Sequence, residues 1–219
     1  MRVSTSIPAM TQRRILGLNE AQQAQSLQRL ATGFRINSGK DDPAGLIASE
    51  NLRATLAALD AESRAMQRAD HVVASADGAL GEVSDLLVEA EALTVANANT
   101  GAMSDAERQA NQQQIDSILQ TIDRVAGTSS FNGQKLLDGS MELSLSAGSL
   151  SIGSARVNDL GAVDDGAGGT LDLGDVASGG PLDTTTGNIG LAAASIRGAA
   201  SRIATLRGEL GAFSANVIR

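Results

Sequence analysis

The sequence predicts a mainly α-helical protein, a long coiled-coil-like helical bundle with a small β-hairpin and loop region. Two ladders with a period of seven carry that expectation. Leu52, Leu59, Met66, Val73, Leu80 and Leu87 form the first, and Ile189, Ile196, Ile203, Leu210 and Val217 form the second. Three residues beyond its rungs the first ladder is mostly small (Thr55, Ala69, Ala76, Val83, Ala90, with Glu62 the exception), and the second has Ala192, Ala199, Leu206 and Phe213. Large and small layers repeating in this way pack helices with nearly aligned axes. A further observation is a change of period after Phe131, where alternation replaces the helical repeat.

Taken in order, the elements have recognisable starts and stops. Residues 1–10 read as a flexible start, with Pro8 discouraging helix before it. A helix is expected from about Thr11 to Thr32, but its middle, EAQQAQSLQ, is so polar that it has little to bury alone. It is expected to be weakly ordered until partners cover it. Gly33 and Gly39 bracket a break, after which Asp41 or Asp42 can cap a second helix with Pro43 in its first turn. That helix should run to about Asn99, with Gly78 and Gly81 each weakening it by about 1 kcal/mol relative to Ala. Ser104-Asp105-Ala106-Glu107 is a capping box for a third helix, whose single apolar face is Ile115, Ile118, Leu119, Ile122 and Val125 before Gly127 ends it. Phe131-Asn132-Gly133-Gln134 is a turn signal, and Met141, Leu143, Leu145, Leu150 and Ile152 alternate as in short strands. Gly, Asp and Thr dominate residues 153–187, so marginal structure is expected there.

Composition excludes several classes of function. The apolar residues are Ala, Leu, Val and Ile; Trp and Tyr are absent, and Phe34, Phe131 and Phe213 are the three aromatic residues. The aromatic anchors that dominate many cores and binding pockets are therefore missing. A net charge of -8 without aromatic stacking residues argues against nucleic acid. The charge is unevenly placed. Residues 44–99 carry nine acids and three bases, a balance of -6, whereas residues 189–219 carry four bases and one acid, a balance of +3. Opposite signs favour packing of the two helical segments. The absence of Cys removes disulfides and thiolate metal sites. No secretory apolar core or membrane-length apolar run is visible, so no membrane contact is expected.

Motifs for chemistry are weak. His71 is the sole histidine and lacks the neighbours of a metal or acid-base constellation. GFRINSGK imitates a phosphate loop, but five residues separate Gly33 from Gly39, and Asp41 stands where a Mg²⁺-binding hydroxyl belongs. The stretch DDGAGGTLDLGD has the ligand types of a calcium loop in one irregular copy. No catalytic residue, metal or cofactor is expected.

The order of parts is more specific than any of these motifs. LQRLATG, FRINSGKDDPAG, a long heptad helix, IDRVAGTSSFNGQKLLDG and a terminal heptad helix together resemble bacterial flagellin. The likeness covers residues 1 to 152 and 189 to 219. It implies that residues 1–40 are an N-terminal helix of the inner filament core, and that 41–152 with 188–219 form a helical core domain with a β-hairpin tip. Residues 153–187 would be a short version of the variable, outward-facing region. The resemblance further implies a non-enzymatic, self-assembling filament subunit for motility, extracellular yet exported without a cleaved signal peptide. Its partners would be other flagellin subunits, hook-associated and cap proteins and the flagellar export apparatus. Both ladders would then be helix-packing and assembly seams.

Two departures from the family pattern carry expectations. No Gly or Pro stop follows Val217-Ile218, whereas flagellins continue into a second terminal helix. The chain is therefore expected to be C-terminally truncated, to lack the export-chaperone site and the partner of its own N-terminal helix, and not to build a normal filament alone. In family members that stimulate the vertebrate Toll-like receptor for flagellin, a basic LQRVREL-like stretch occurs where this chain has Leu87-Val88-Glu89-Ala90-Glu91-Ala92-Leu93. Glu89 replaces the contact Arg, Gln114 matches a contact Glu, and Leu93 is retained, so poor receptor activation is expected. The alternative function is the hook-filament junction protein, which shares the helical ends, an MR-x-ST-like start and the DDP motif, although FNG-x-K-L-L-DG favours flagellin. A protease in the variable region is disfavoured, because that region is short and has no His. A generic coiled-coil adaptor explains the heptads but not the two motif blocks.

Overall fold

Caps written in the sequence set most helix boundaries in the computed structural model, which describes residues 7–146, 148–164, 169–186 and 188–218. Helix α1 spans Ile7–Thr32, a turn earlier than Thr11, and closes where the Gly33 N–H donates to Arg29 O at 2.9 Å. Helix α2 spans Pro43–Asn97. Of the two candidate caps, Asp42 takes the position: its Oδ1 accepts the Gly45 N–H at 2.9 Å, and its carbonyl accepts the Leu46 N–H. Helix α3, Asp105–Thr128, opens on the expected box, with Ser104 Oγ accepting the Glu107 N–H and Glu107 Oε2 accepting the Ser104 N–H at 2.7 Å. It passes Gly127 by one residue. Helix α4 spans Ile189–Phe213, and the backbone then widens to π hydrogen bonding over Ser214–Ile218.

Three antiparallel strand pairs lie between α3 and α4. Strands β1 (Ser130–Phe131) and β2 (Gln134–Lys135) are joined by Asn132 at φ 51° and Gly133 at φ 82°, the left-handed pair that a two-residue hairpin turn requires. Strands β3 (Glu142–Leu145) and β4 (Gly148–Ser151) place Leu143 opposite Leu150. Met141 and Ile152 flank this pair rather than belonging to it, yet the Ile152 N–H still donates to Met141 O at 2.9 Å. Strands β5 (Val163–Asp164) and β6 (Thr170–Leu171) form the last pair.

The chain divides into two units, up to Ala61 and from Glu62 onward, and α2 runs through the division. In the second unit α2, α3 and α4 share one apolar core that includes Leu80, Leu87, Ile115, Ile122, Ile196 and Ile203. Helices α2 and α3 run antiparallel: Glu89 meets Gln114 near one end, and Asn97 meets Arg108 near the other. Helices α2 and α4 also run antiparallel, with Asp77 bonded to Arg207 at 2.9 Å and Glu91 3.4 Å from Arg197. The acidic and basic helices thus pair as their charges imply. These pairs are partly exposed and contribute about 0–1 kcal/mol each, so the shared apolar face dominates.

The expectation of marginal structure over residues 153–187 needs correction. Ala155, Val157, Leu160, Leu173, Val176 and Leu182 from that segment all enter the core. The apolar residues are spaced by Gly and Asp turns rather than by a helical or strand period, so the sequence hides their common destination. One such turn, the 3₁₀ turn Leu173–Val176, has its own box: Asp172 Oδ1 accepts the Gly174 N–H at 2.8 Å and Asp175 Oδ2 accepts the Asp172 N–H at 2.9 Å. Part of the calcium-loop stretch, residues 165–168, lies outside the described residues.

Candidate assembly surface

The two ladders meet different fates although their side chains are alike. On α4, Ile196, Ile203 and Leu210 are buried, and Ile189 and Val217 are half-buried. On α2 the ladder changes partway along: Val73, Leu80 and Leu87 are buried and Met66 is half-buried, while Leu52 and Leu59 are 65% and 54% exposed. The small positions follow suit, with Ala69, Ala76, Val83 and Ala90 buried and Thr55 exposed. Leu52 and Leu59 are therefore rungs of a packing seam with nothing within the chain to cover them.

They belong to a larger pattern. None of residues 7–61 is buried. Apart from Val88 and Val95, every exposed large hydrophobic residue among those described lies in this stretch, from Ile7 and Met10 through Leu27, Leu30 and Phe34 to Ile47 and Leu56. Leu30 is 83% exposed. Fully burying one aliphatic side chain is worth about 1.5–3 kcal/mol, so the first unit withholds a large apolar surface from its own fold. Contiguous exposed apolar surface on this scale marks an interaction site.

In the second unit polar residues fasten the 153–187 segment to the α2–α3 end. Thr184 Oγ1 donates to Gln112 Oε1 at 2.5 Å and accepts from Asn97 Nδ2 at 2.8 Å. Gln112 Nε2 also donates to Val176 O at 2.8 Å, and Asn111 Nδ2 donates to Asn97 Oδ1 at 2.8 Å. Asn97, Gln112 and Thr184 are all buried. Beside them Asp183 is buried too; burial pushes its carboxyl up, but bonds from the Gly179 and Thr185 N–H groups and the Thr185 hydroxyl outweigh this and leave it below the ordinary value. The sequence reading missed this cluster. Its one signal was register: Gln112 lies three residues before Ile115 on the apolar stripe of α3, and Asn97 seven beyond Ala90 on α2.

The positions matched to the innate receptor come together. Gln114 Nε2 donates to Glu89 Oε1 at 2.9 Å across the exposed α2–α3 face, and Leu93 is half-buried on α2. His71 is exposed on α2. Among the described residues no three His, Asp or Glu side chains are grouped to hold a metal ion, and no helix is long and apolar enough to cross a membrane.

Comparisons with known proteins bear on what the exposed surface is for. Residues 3–142 match the family described as the bacterial flagellin N-terminal helical region. Flagellin D of Vibrio anguillarum is 38% identical over 143 residues, 65% of this chain and 37% of that protein. Flagellin D of Vibrio cholerae is 39% identical over 140 residues, 64% of this chain and 37% of its own. A flagellin of Halalkalibacterium halodurans is 34% identical over 142 residues, covering 65% of this chain and 52% of that protein. The chain thus spans between about a third and about half of these relatives. The solved structure of FliC from Burkholderia pseudomallei shares the fold, with a TM-score of 0.52 at 15% identity over 68% of this chain and 99% of that one.

Proposed function

The chain belongs to the bacterial flagellin family, and from that premise we propose that it is a structural, non-enzymatic subunit of the extracellular flagellar filament, polymerising with its own kind for motility. The observation that carries the proposal is the contrast between its two units. Residues 62–219 close a core, whereas residues 7–61 bury nothing and expose Leu52, Leu59 and the apolar residues of α1. Such surface is supplied with a cover when copies pack side by side, and the ordering cost of the polar α1 is met at the same moment. On this reading residues 1–40 belong to the inner layer, 41–152 with 188–219 to the next, and 153–187 face outward.

The further partners in the proposal are hook-associated and cap proteins and the flagellar export apparatus. Glu89, engaged with Gln114, sets a negative charge where stimulatory relatives present Arg. Weak activation of the flagellin-sensing Toll-like receptor is the proposed consequence, and a reporter-cell response equal to that of a stimulatory flagellin would sink it. Immunogold electron microscopy with antibodies against residues 153–187 tests the main proposal. Label along whole filaments is expected. Label confined to the filament base would instead indicate the junction protein, and label held within the cell would defeat both.

A further inference from the structure

Residues 33–42 join α1 to α2, and a few side chains hold them to both helices. On the α1 side, Asp41 Oδ1 accepts from Gln25 Nε2 at 2.8 Å. Its other oxygen, Oδ2, accepts from the Asn37 N–H at 3.3 Å, the Ser38 N–H at 3.2 Å and the Ser38 hydroxyl at 3.1 Å. The bond from Gln25, followed by those from Asn37 and Ser38, holds this carboxyl below its ordinary value. On the α2 side, the Phe34 ring centroid lies 5.0 Å from the guanidinium carbon of Arg53. Ile36 closes over Gly45, where an added Cβ would come within 2.7 Å of Ile36 Cδ1 and 2.4 Å of the Asp42 carboxylate. Asp42 itself is engaged in capping α2.

These contacts have to be set against the emptiness around them. Helix α1 buries no residue, so packing does not direct it. The bonds at its end, from the Gly33 N–H to Arg29 O and from the Phe34 N–H to Thr32 Oγ1, are local caps. Asp41 reaches from the turn to the body of α1, sixteen residues back. Its four partners are all donors, so the site requires an acceptor at both oxygens. An Asn in its place would turn N–H groups toward either Gln25 or Ser38.

We propose that residues 33–42 form a preset elbow in which Asp41 is the positioning residue, fixing the direction of α1 relative to the start of α2 in the free subunit. The seam residues of α1 then reach a growing polymer already oriented, which removes part of the ordering cost of assembly. This second consequence rests on the filament reading; the elbow itself does not.

The sequence contains no Cys, so Gln23→Cys and Asn51→Cys place two spin labels cleanly, one on α1 and one on α2. Double electron-electron resonance on the unpolymerised chain should give one narrow distance distribution. Asp41→Asn should broaden it at least twofold. Asp42→Asn is the matched control, because Asn caps helices as well as Asp, and it should leave the width unchanged. Equal widths for Asp41→Asn and the parent, or equal broadening by both substitutions, would overturn the elbow. Far-UV circular dichroism with unchanged helix content excludes simple melting of α1. Where the elbow loosens as expected, subunits carrying Asp41→Asn should add to filament seeds about tenfold more slowly. An unchanged rate would overturn the role in assembly while leaving the elbow standing.

Discussion

Leu52 and Leu80 are the same residue on the same ladder of the same helix, and truncating each to Ala separates core packing from assembly. Leu80 is fully buried within the core that α2 shares with α3 and α4. Deleting a buried Leu to Ala costs about 2–5 kcal/mol, because the lost transfer energy is joined by a cavity that neighbours fill only partly. A mid-range loss of about 3 kcal/mol lowers Tm by roughly 6–12 °C for a unit of this size. Leu52 is 65% exposed. The third of its surface that is covered accounts for about 0.5–1 kcal/mol at most, and the better helix propensity of Ala recovers a few tenths of that. Leu52→Ala should therefore leave thermal unfolding of the 62–219 unit within about 2 °C of the parent while impairing incorporation into filaments. Differential scanning calorimetry on both variants reads the first quantity, and pelleting with filament seeds the second. Equal losses of Tm would refute the division of the ladder, and normal incorporation of Leu52→Ala would refute its use in assembly.

Other perturbations test the second unit. Thr184→Val keeps the shape of the side chain but removes the hydroxyl that donates to Gln112 and accepts from Asn97; urea denaturation should show a loss of about 1–3 kcal/mol. Gly133→Ala forces a side chain into φ 82° where nothing else lies within 4 Å, so the expected loss of about 1–2 kcal/mol is conformational strain alone. Burial raises and the Gly179 and Thr185 bonds more strongly lower the Asp183 carboxyl, for a net depression. Its stabilising contribution is thus complete above the ordinary carboxylate value of about 4 and disappears as pH falls through the lower folded value. Denaturation at pH 7 and near pH 2 should show the parent losing its advantage over Asp183→Asn in acid, and a constant difference would refute the assignment.

Much of the fold was legible because local chemistry and global packing agree. The Ser104 box, Pro43 after an Asp, and the Asn132-Gly133 turn each act within a few residues, and each appears where the sequence places it. The α4 ladder was legible for the same reason, since its period matches the face it buries. What was hidden depends on distance along the chain. Nothing local distinguishes Leu52 from Leu80, because the difference lies in whether α4 and the residues 153–187 reach that part of α2. Thr184 and Gln112 are 72 residues apart, and Val157, Leu173 and Leu182 follow no period that would reveal a common core. The two caps at Asp41 and Asp42 were likewise indistinguishable, since only the folded turn presents Gln25 and Ser38 to one and Gly45 to the other.

Hydrogen-exchange mass spectrometry on filaments from producing cells, set beside subunits dissociated from the same filaments, tests the division of labour between the two units most directly. Peptides within residues 7–61 should exchange quickly in the free subunit and gain at least a hundredfold protection in the filament, with the core peptides of α3 and α4 slow in both states. Strong protection of residues 7–61 before assembly, or none after it, would contradict the assignment of this exposed apolar surface to contacts between copies.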